Sequence, residues 1–298
     1  MASAAGCVLS VRPTLTPAQP APATADDDED KPGDPIKPLK PMEAIDAAKP
    51  AEAAPAEKQS GEQKQPLPPA HVVLKKTADK IVVDGKLDEE CWKKAERLPI
   101  DILHGKASRV KPAGCGKMTW DDESFYIAFE VIDTDIKAKG DGRDNCDIVP
   151  PQDVVEAFVD VNNDDEHFYE FHLNALNGFN DVFIVRPRKE SPLYNRLPFR
   201  LMFINGWNLD SCQTAVQVDG TVNNSQDQDK GWTGEIKLPF KALKLPTDRS
   251  QPKIGDVWRV QLVVQQGDGN DRYFEWSPSY DPWFHHSIST WGRVEFGQ

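Results

Sequence analysis

The sequence predicts an all-β chain, with a single antiparallel β-sandwich that follows a long disordered N-terminal segment. Residues 1–70 hold 13 of the 25 prolines and none of the Phe, Trp or Tyr residues. Such a segment cannot bury enough apolar surface to offset its ordering entropy. Residues 71–298 instead show short alternating apolar and polar runs at even spacing, separated by turn residues, which is typical of a sandwich.

The N-terminal segment divides at the acidic run that begins at residue 26. Residues 1–25 are interpreted as a truncated signal or lipoprotein segment, because Ala23-Thr24-Ala25 has the small-x-small form of a cleavage site. Small residues also precede Cys7, which is the candidate lipidation residue. Residues 26–70 are rich in Pro, Ala, Glu and Lys, which predicts a disordered linker. This organisation favours an extracytoplasmic location, and the alternative is an ordinary Ala-rich tail.

Charge and cysteine content limit the functions to consider. Residues 71–298 carry 28 Lys and Arg against 37 Asp and Glu, a net charge of −9 that repels phosphate backbones, so no nucleic-acid partner is expected. No apolar run approaches the roughly 18 residues of a membrane-spanning helix. The cysteines of this region are Cys91, Cys115, Cys146 and Cys212. They allow three disulfide pairings, and four free thiols are the alternative.

The elements follow from periodicity and turn signals. Residues 87–98 predict a short helix with Asp88 as N-cap and with Cys91 and Trp92 on its buried face. Strands are predicted over residues 116–120, 125–131, 153–161, 168–173, 179–185, 214–218, 231–238, 257–264, 273–276 and 293–296, with a further strand region that begins at Trp207. The first two of these strands form one hairpin, and the next two form a second.

The period of two assigns the faces of three strands that we expect to be neighbours. Glu156, His172 and Gln261 each lie on the polar side of their strand, opposite an apolar side. We expect the apolar sides to form the core. The polar sides then form one solvated surface that carries these three residues.

Six segments resemble, in order, the sequence blocks of carbohydrate-binding module family 9-like domains. They are VDGKLDEECW (83–92), WDDESFY (120–126), DVVEAF (153–158), YEF (169–171), GWTGEIKLPF (231–240) and WGRV (291–294). The resemblance covers residues 71–298. It implies a β-sandwich related to the DOMON group, a non-catalytic role and an extracytoplasmic setting.

The resemblance also implies a binding site. Family members hold a sugar between two aromatic rings that are surrounded by polar groups. The second ring falls on Trp283 or Phe284, and the polar positions fall on Glu156, His172 and Gln261. The position of the first ring holds Pro150 instead of an aromatic residue. The predicted partner is therefore a poly- or oligosaccharide, and the predicted context is polysaccharide catabolism.

Acidic residues at turns suggest calcium, because hard cations prefer clustered oxygen ligands and family members often carry this ion. The candidate ligands are Asp84, Asp88, Asp133 and Asp135. The alternative is that these side chains cap their own turns.

Two other functions compete with sugar binding. One is a protein-interaction or structural sandwich that has lost sugar binding, which Pro150 favours. The other is a haem-binding DOMON-like domain, with Met118, Met202 or a histidine as ligand. An enzyme is not expected, since the sequence contains no G-x-S-x-G, H-E-x-x-H or P-loop motif and no motif pairs two carboxylates.

Overall fold

A computed structural model of the chain describes residues 66–106, 108–143, 152–196, 201–204, 207–209, 211–243, 251–267, 272–280 and 288–298. The chain divides into two units, residues 1–61 and residues 62–298. The first unit lies outside the described residues, and so do Cys7, Cys146, Pro150, Trp283 and Phe284.

The second unit is built almost entirely of strands. They are β1 (His71–Leu74), β2 (Leu98–Leu103), β3 (Ser108–Trp120), β4 (Ser124–Ile132), β5 (Val154–Asp160), β6 (His167–Asn174), β7 (Phe179–Val185), β8 (Met202–Ile204), β9 (Gln213–Asp219), β10 (Gly231–Pro239), β11 (Val257–Gln265), β12 (Tyr273–Glu275) and β13 (Gly292–Phe296). One short α-helix, α1 (Glu90–Lys94), precedes β2. In the part of the chain that the structure describes, no helix has the length and apolar character to span a membrane.

The strands form two half-sheets joined by one short strand. The first half-sheet has the order β8-β7-β6-β5-β11, and the second has the order β2-β3-β4-β10-β9. Strand β12 pairs with β11 on one side and with β2 on the other. These pairs are antiparallel, whereas β1 runs parallel to β13, which itself pairs with β11.

The two half-sheets face each other across one apolar core. The rings of Phe125 on β4 and Trp258 on β11 meet edge to face, with centroids 5.5 Å apart. Gly116 on β3 leaves room for the side chain of Leu262, since a Cβ there would lie 2.3 Å from the leucine methyl. The inward side chains of the three strands analysed by period are Val155, Ala157, Val159, Tyr169, Phe171, Leu173, Trp258, Val260 and Leu262, and all are buried in this core. The predicted sandwich and its apolar faces are confirmed.

Glu235 of β10 holds the turn and the helix that precede β2. Its Oε2 accepts hydrogen bonds from the backbone N–H groups of Asp84 (3.0 Å) and Gly85 (2.8 Å). Its Oε1 accepts one from the indole N–H of Trp92 (3.0 Å). Gly85 has φ = 83°, and a Cβ there would lie 2.4 Å from the carbonyl carbon of Val216. The segments 83–92 and 231–240 are therefore two parts of one buried contact.

The helix is shorter than predicted. It begins at Glu90 with Glu89 as N-cap, so the assignment of Asp88 as N-cap is wrong. The Glu89 carboxylate instead accepts a hydrogen bond from the backbone N–H of Val82 (3.0 Å). The helix ends at Lys94, because the residues from Leu98 onward pair with β3. Cys91 and Trp92 are buried, as predicted.

The strand region predicted from Trp207 is also wrong at its start. Residues 207–209 lie in no strand, and β9 begins at Gln213. The Trp207 ring packs against Tyr169 and Phe183, with centroids 5.0 and 5.9 Å away. Its apolar character therefore reflects contact with β6 and β7 and not a place in a strand.

The described cysteines form no disulfide with one another. Cys91, Cys115 and Cys212 are free thiols. Burial is the first cause that raises the pKa of each thiol, to about 11 for Cys91 and to about 12 for Cys115 and Cys212. These thiols therefore remain protonated at neutral pH.

Candidate functional site

The outer face of the first half-sheet, which points away from the core, carries a group of ionisable side chains together with the adjoining β12 and the end of β2. Strand β5 contributes Glu156, and β6 contributes His172 and Glu170. Strand β12 contributes Glu275, and His104 follows β2. We call these five residues the polar cluster. Glu156 lies directly opposite His172 in the β5–β6 register, so their side chains are cross-strand neighbours.

Two imidazole–carboxylate pairs form within the polar cluster. His172 Nε2 donates a hydrogen bond to Glu170 Oε1 over 2.8 Å. His104 Nδ1 donates to Glu275 Oε1 over 2.7 Å. Ser279 also binds Glu275, through its hydroxyl (2.7 Å) and its backbone N–H (2.9 Å). The Glu275 side chain is fully buried and is held rigidly by these donors.

Glu156 is the remaining member of the polar cluster. It is 8% exposed, and none of the described residues donates a hydrogen bond to its carboxyl group. Burial raises the pKa of Glu156 to about 7; the charge of His172 opposes this shift, and the charges of Glu170 and Glu275 add to it. Across the sheet on its other side, Glu156 faces the apolar Val263.

His172 offers a complementary group. Burial alone would lower its pKa, but the hydrogen bond to Glu170 and the charges of Glu170 and Glu156 raise the pKa of His172 to about 9. At neutral pH the ring is therefore an imidazolium, and both nitrogens are donors. Its Nδ1 is buried and has no hydrogen-bond partner in the described part of the chain. One acceptor and one donor thus lie on adjacent strands.

Gln261 lies on the side of β11 opposite the core residues Val260 and Leu262, as the period of two predicts, but it is not solvated. It is fully buried, and its amide nitrogen donates to the backbone oxygen of Ser277 over 2.7 Å. Its amide oxygen accepts from the backbone N–H of Ser277 over 3.1 Å. The structure therefore uses Gln261 to hold the segment after β12, and does not bring its amide to Glu156 and His172. Trp283 and Phe284, the predicted ring residues, lie outside the described residues.

The outer face is less polar than predicted. Beside the polar cluster lies a second apolar group, in which Trp291 is fully buried and meets Phe158 and Phe168 at centroid distances of 5.5 and 5.2 Å. The other buried members are Ile184, Leu201, Val263 and Ile288. Trp291 therefore packs, and part of the predicted solvated surface is a small hydrophobic core.

The sequence profile of the family described as "Carbohydrate family 9 binding domain-like" matches residues 83–297. The chain belongs to this family. This assignment agrees with the six sequence segments, all of which lie within the matched range.

Solved structures share this fold. A carbohydrate binding module family 9 from Caldicellulosiruptor kristjanssonii, in complex with cellotriose, has a TM-score of 0.50 at 16% identity, over 77% of this chain and 94% of that one. A structure from Bacteroides uniformis ATCC 8492, described as a candidate carbohydrate-binding protein, has a TM-score of 0.58 at 15% identity. That match covers 76% of this chain and 99% of the other.

Two curated relatives share a shorter stretch with this family 9-like chain. "Exoglucanase XynX" of Acetivibrio thermocellus is 35% identical over 92 residues. "Endo-1,4-beta-xylanase A" of Thermoanaerobacterium saccharolyticum is 34% identical over 93 residues. Each match covers 30% of this chain and only 7% of the relative's length.

The four aspartates proposed for calcium lie in two places. Asp133 and Asp135 line a cavity of about 850 Å³ at the end of the sandwich, together with Asp153 and Phe274. Asp84 is exposed elsewhere, and its carboxylate accepts the backbone N–H of Lys86 over 2.9 Å. Asp88 is also exposed.

The carboxylates at the cavity are engaged within the protein. Asp135 pairs with Lys137 (2.6 Å), and Asp153 accepts the backbone N–H of Gly267 over 2.7 Å. Burial is the first cause that raises the pKa of Asp133 and of Asp153. Over the described ranges, no group of three or more His, Cys, Asp or Glu residues can hold a metal ion. The described residues thus do not form the expected site, and calcium binding stays a prediction.

Three members of the polar cluster were not selected from the sequence. Glu170 could have been found, because it shares the period-two face of His172. Glu275 and His104 could not, since they meet only through the pairing of β12 with β2. Met118, a haem-ligand candidate, lies in the inter-sheet core with 3% exposure.

Proposed function

We propose that this chain is a non-catalytic module that binds a poly- or oligosaccharide on the outer face of the first half-sheet. The supporting observation is the buried acceptor Glu156 beside the buried donor Nδ1 of His172, neither of which has a hydrogen-bond partner among the described residues. A sugar hydroxyl both donates and accepts, so adjacent hydroxyls of one ring complement the two groups. The complex of the family 9 relative with cellotriose is consistent with this ligand class.

Aromatic stacking completes the proposed site. Sugar rings have apolar C–H faces that stack on aromatic side chains. Trp283 and Phe284 are the proposed stacking residues, because the family resemblance places the second ring there. The segment 277–280, which leads toward them in the sequence, is tied to Gln261 and Glu275 by hydrogen bonds.

The proposal includes a setting. The curated relatives are an exoglucanase and a xylanase, of which the match covers a small part. We propose that the module works outside the cytoplasm, in polysaccharide breakdown, and that it binds the polysaccharide without hydrolysing it. Bond cleavage then belongs to a separate catalytic domain or protein.

The test is binding of the full-length chain to a plant-polysaccharide glycan array, followed by calorimetry on the best oligosaccharide. We expect His172→Ala to weaken binding about 10- to 100-fold, the range of a hydrogen bond to a charged group. Trp283→Ala should weaken it about 2- to 10-fold. His71→Ala is the matched control, because His71 is exposed on β1, outside the polar cluster.

Three other outcomes would point to another function or to another site. A blank array from folded protein would favour the interaction-module alternative. Unchanged affinity in both variants would move the site away from the outer face. A Soret band in the purified chain would favour haem binding.

A further inference from the structure

The carboxyl groups of the polar cluster outnumber its imidazoles. The cluster holds three carboxyl groups and two imidazoles, and each imidazole is already paired, His172 with Glu170 and His104 with Glu275. Glu156 is therefore the carboxyl group to which neither imidazole is hydrogen-bonded. With 8% exposure it is also largely shielded from solvent.

The part of the chain that the structure describes offers Glu156 no further cation. The ionisable side chains that influence it are His172, Glu170 and Glu275, and the phenol of Tyr273 lies within its electrostatic reach. On the β11 side it faces Val263. A buried carboxylate without a partner is costly, and it is relieved either by a proton or by a cation supplied from outside.

We propose that the saccharide bound on this face carries a free amino group, whose ammonium forms an ion pair with Glu156. The preferred ligand class is thus an oligosaccharide of amino sugars. This inference rests on the proposed function and deepens it. With such a ligand in place, Glu156 gains a cationic partner, and the Nδ1 donor of His172 remains for a neighbouring hydroxyl.

The test uses three β-1,4-linked tetrasaccharides that differ only at the second carbon of each ring: the free-amine glucosamine tetramer, its N-acetylated form and cellotetraose. Calorimetry is run on the full-length chain at pH about 7, where substantial fractions of both the ligand amines and the Glu156 carboxyl group are charged. About 200 mM NaCl screens the general attraction between a cationic ligand and an acidic protein. We expect the free-amine tetramer to bind at least about tenfold more tightly than the other two, as for a hydrogen bond between charged groups.

Variants locate the preference. Glu156→Gln keeps the shape and removes the charge, so the free-amine tetramer should fall to within about threefold of cellotetraose. Glu123→Gln is the matched control, since Glu123 is exposed on the turn before β4 and carries the same charge. It should leave the preference unchanged.

The outcomes separate this inference from the function on which it rests. Equal binding of all three ligands, or tighter binding of cellotetraose, overturns the amino-sugar inference and leaves saccharide binding intact. A preference that survives in Glu156→Gln assigns it to another residue and also overturns the inference. Binding of none of them, together with a blank array, overturns both. The ligand comparison uses the unmodified chain, so it decides even where Glu156→Gln fails to fold.

Discussion

Replacement of Glu235 by alanine is expected to destabilise the sandwich more than any exposed substitution in the same region. The change removes the acceptor for two backbone N–H groups and for the indole N–H of Trp92. Two of these three hydrogen bonds are fully buried. Each buried donor left without an acceptor costs about 1–3 kcal/mol, so we expect a loss of about 3–5 kcal/mol once the vacated space is included.

The assay is urea and thermal unfolding of the full-length chain, monitored by tryptophan fluorescence and far-UV circular dichroism. At about 2–4 °C per kcal/mol for a domain of this size, the thermal midpoint should fall by about 6–20 °C. Glu235→Gln keeps one acceptor oxygen, so its cost should be smaller, at about 2–3 kcal/mol. Glu96→Gln is the control, because Glu96 is exposed just after α1.

A double-mutant cycle isolates the indole contact. Trp92→Phe keeps the ring and removes the N–H donor, so the pair Trp92→Phe and Glu235→Gln should show a coupling of about 1 kcal/mol. A loss below about 1 kcal/mol in Glu235→Ala would refute the reasoning, because the turn and helix would then be held by other contacts.

Three further outcomes are expected. The folded-state pKa values of Glu156 and Glu235 (about 7, ordinarily 4.5) and of His172 (about 9, ordinarily 6.5) are all raised, so the folded state retains protons that the unfolded state releases. The thermal midpoint should therefore fall as pH rises from about 5.5 to 8.5, and a midpoint that rises would contradict these shifts. Gly114→Ala should destabilise the fold more than Gly116→Ala. The new Cβ at position 114 would lie 2.4 Å from a backbone carbonyl oxygen, whereas the Cβ at position 116 would meet the end of a leucine side chain. Similar urea midpoints for the two variants would show that the strands separate easily. If the chain binds calcium, excess chelator should lower the thermal midpoint and added calcium should restore it. At a calcium concentration one hundred times Kd, the gain in the free energy of unfolding is about 2.7 kcal/mol. An unchanged midpoint would exclude a stabilising site.

The strands that sequence reasoning found are those whose own residues alternate. In β5, β6 and β11 one side of each strand is apolar, so periodicity identified both the element and its inward face. Strand β1 was missed because its four residues are too few to show a period, and its partner β13 lies far along the chain. Strand β2 was missed although its own residues alternate. Residues 98–103 follow a helix directly, which hides their start.

The site was predictable to the extent that it depends on one strand pair. Glu156 and His172 were found because a period of two and the register of a hairpin place them opposite each other. Gln261 lies on the expected strand, but its amide is used by Ser277, and no pattern within β11 reports that contact. Tertiary hydrogen bonding decides whether a polar side chain is available, and it leaves no periodic signal.

Strand β12 has a consequence for local motion. Its three residues pair with β11 and two of them also pair with β2; one of these two, Glu275, belongs to the polar cluster. A ligand that rests on this cluster should raise the free energy of opening β12. Slower amide hydrogen exchange should then appear not only beside the ligand but also in β2, on the other half-sheet. Binding to the first half-sheet would thus protect amides of the second half-sheet from hydrogen exchange, without any change of shape.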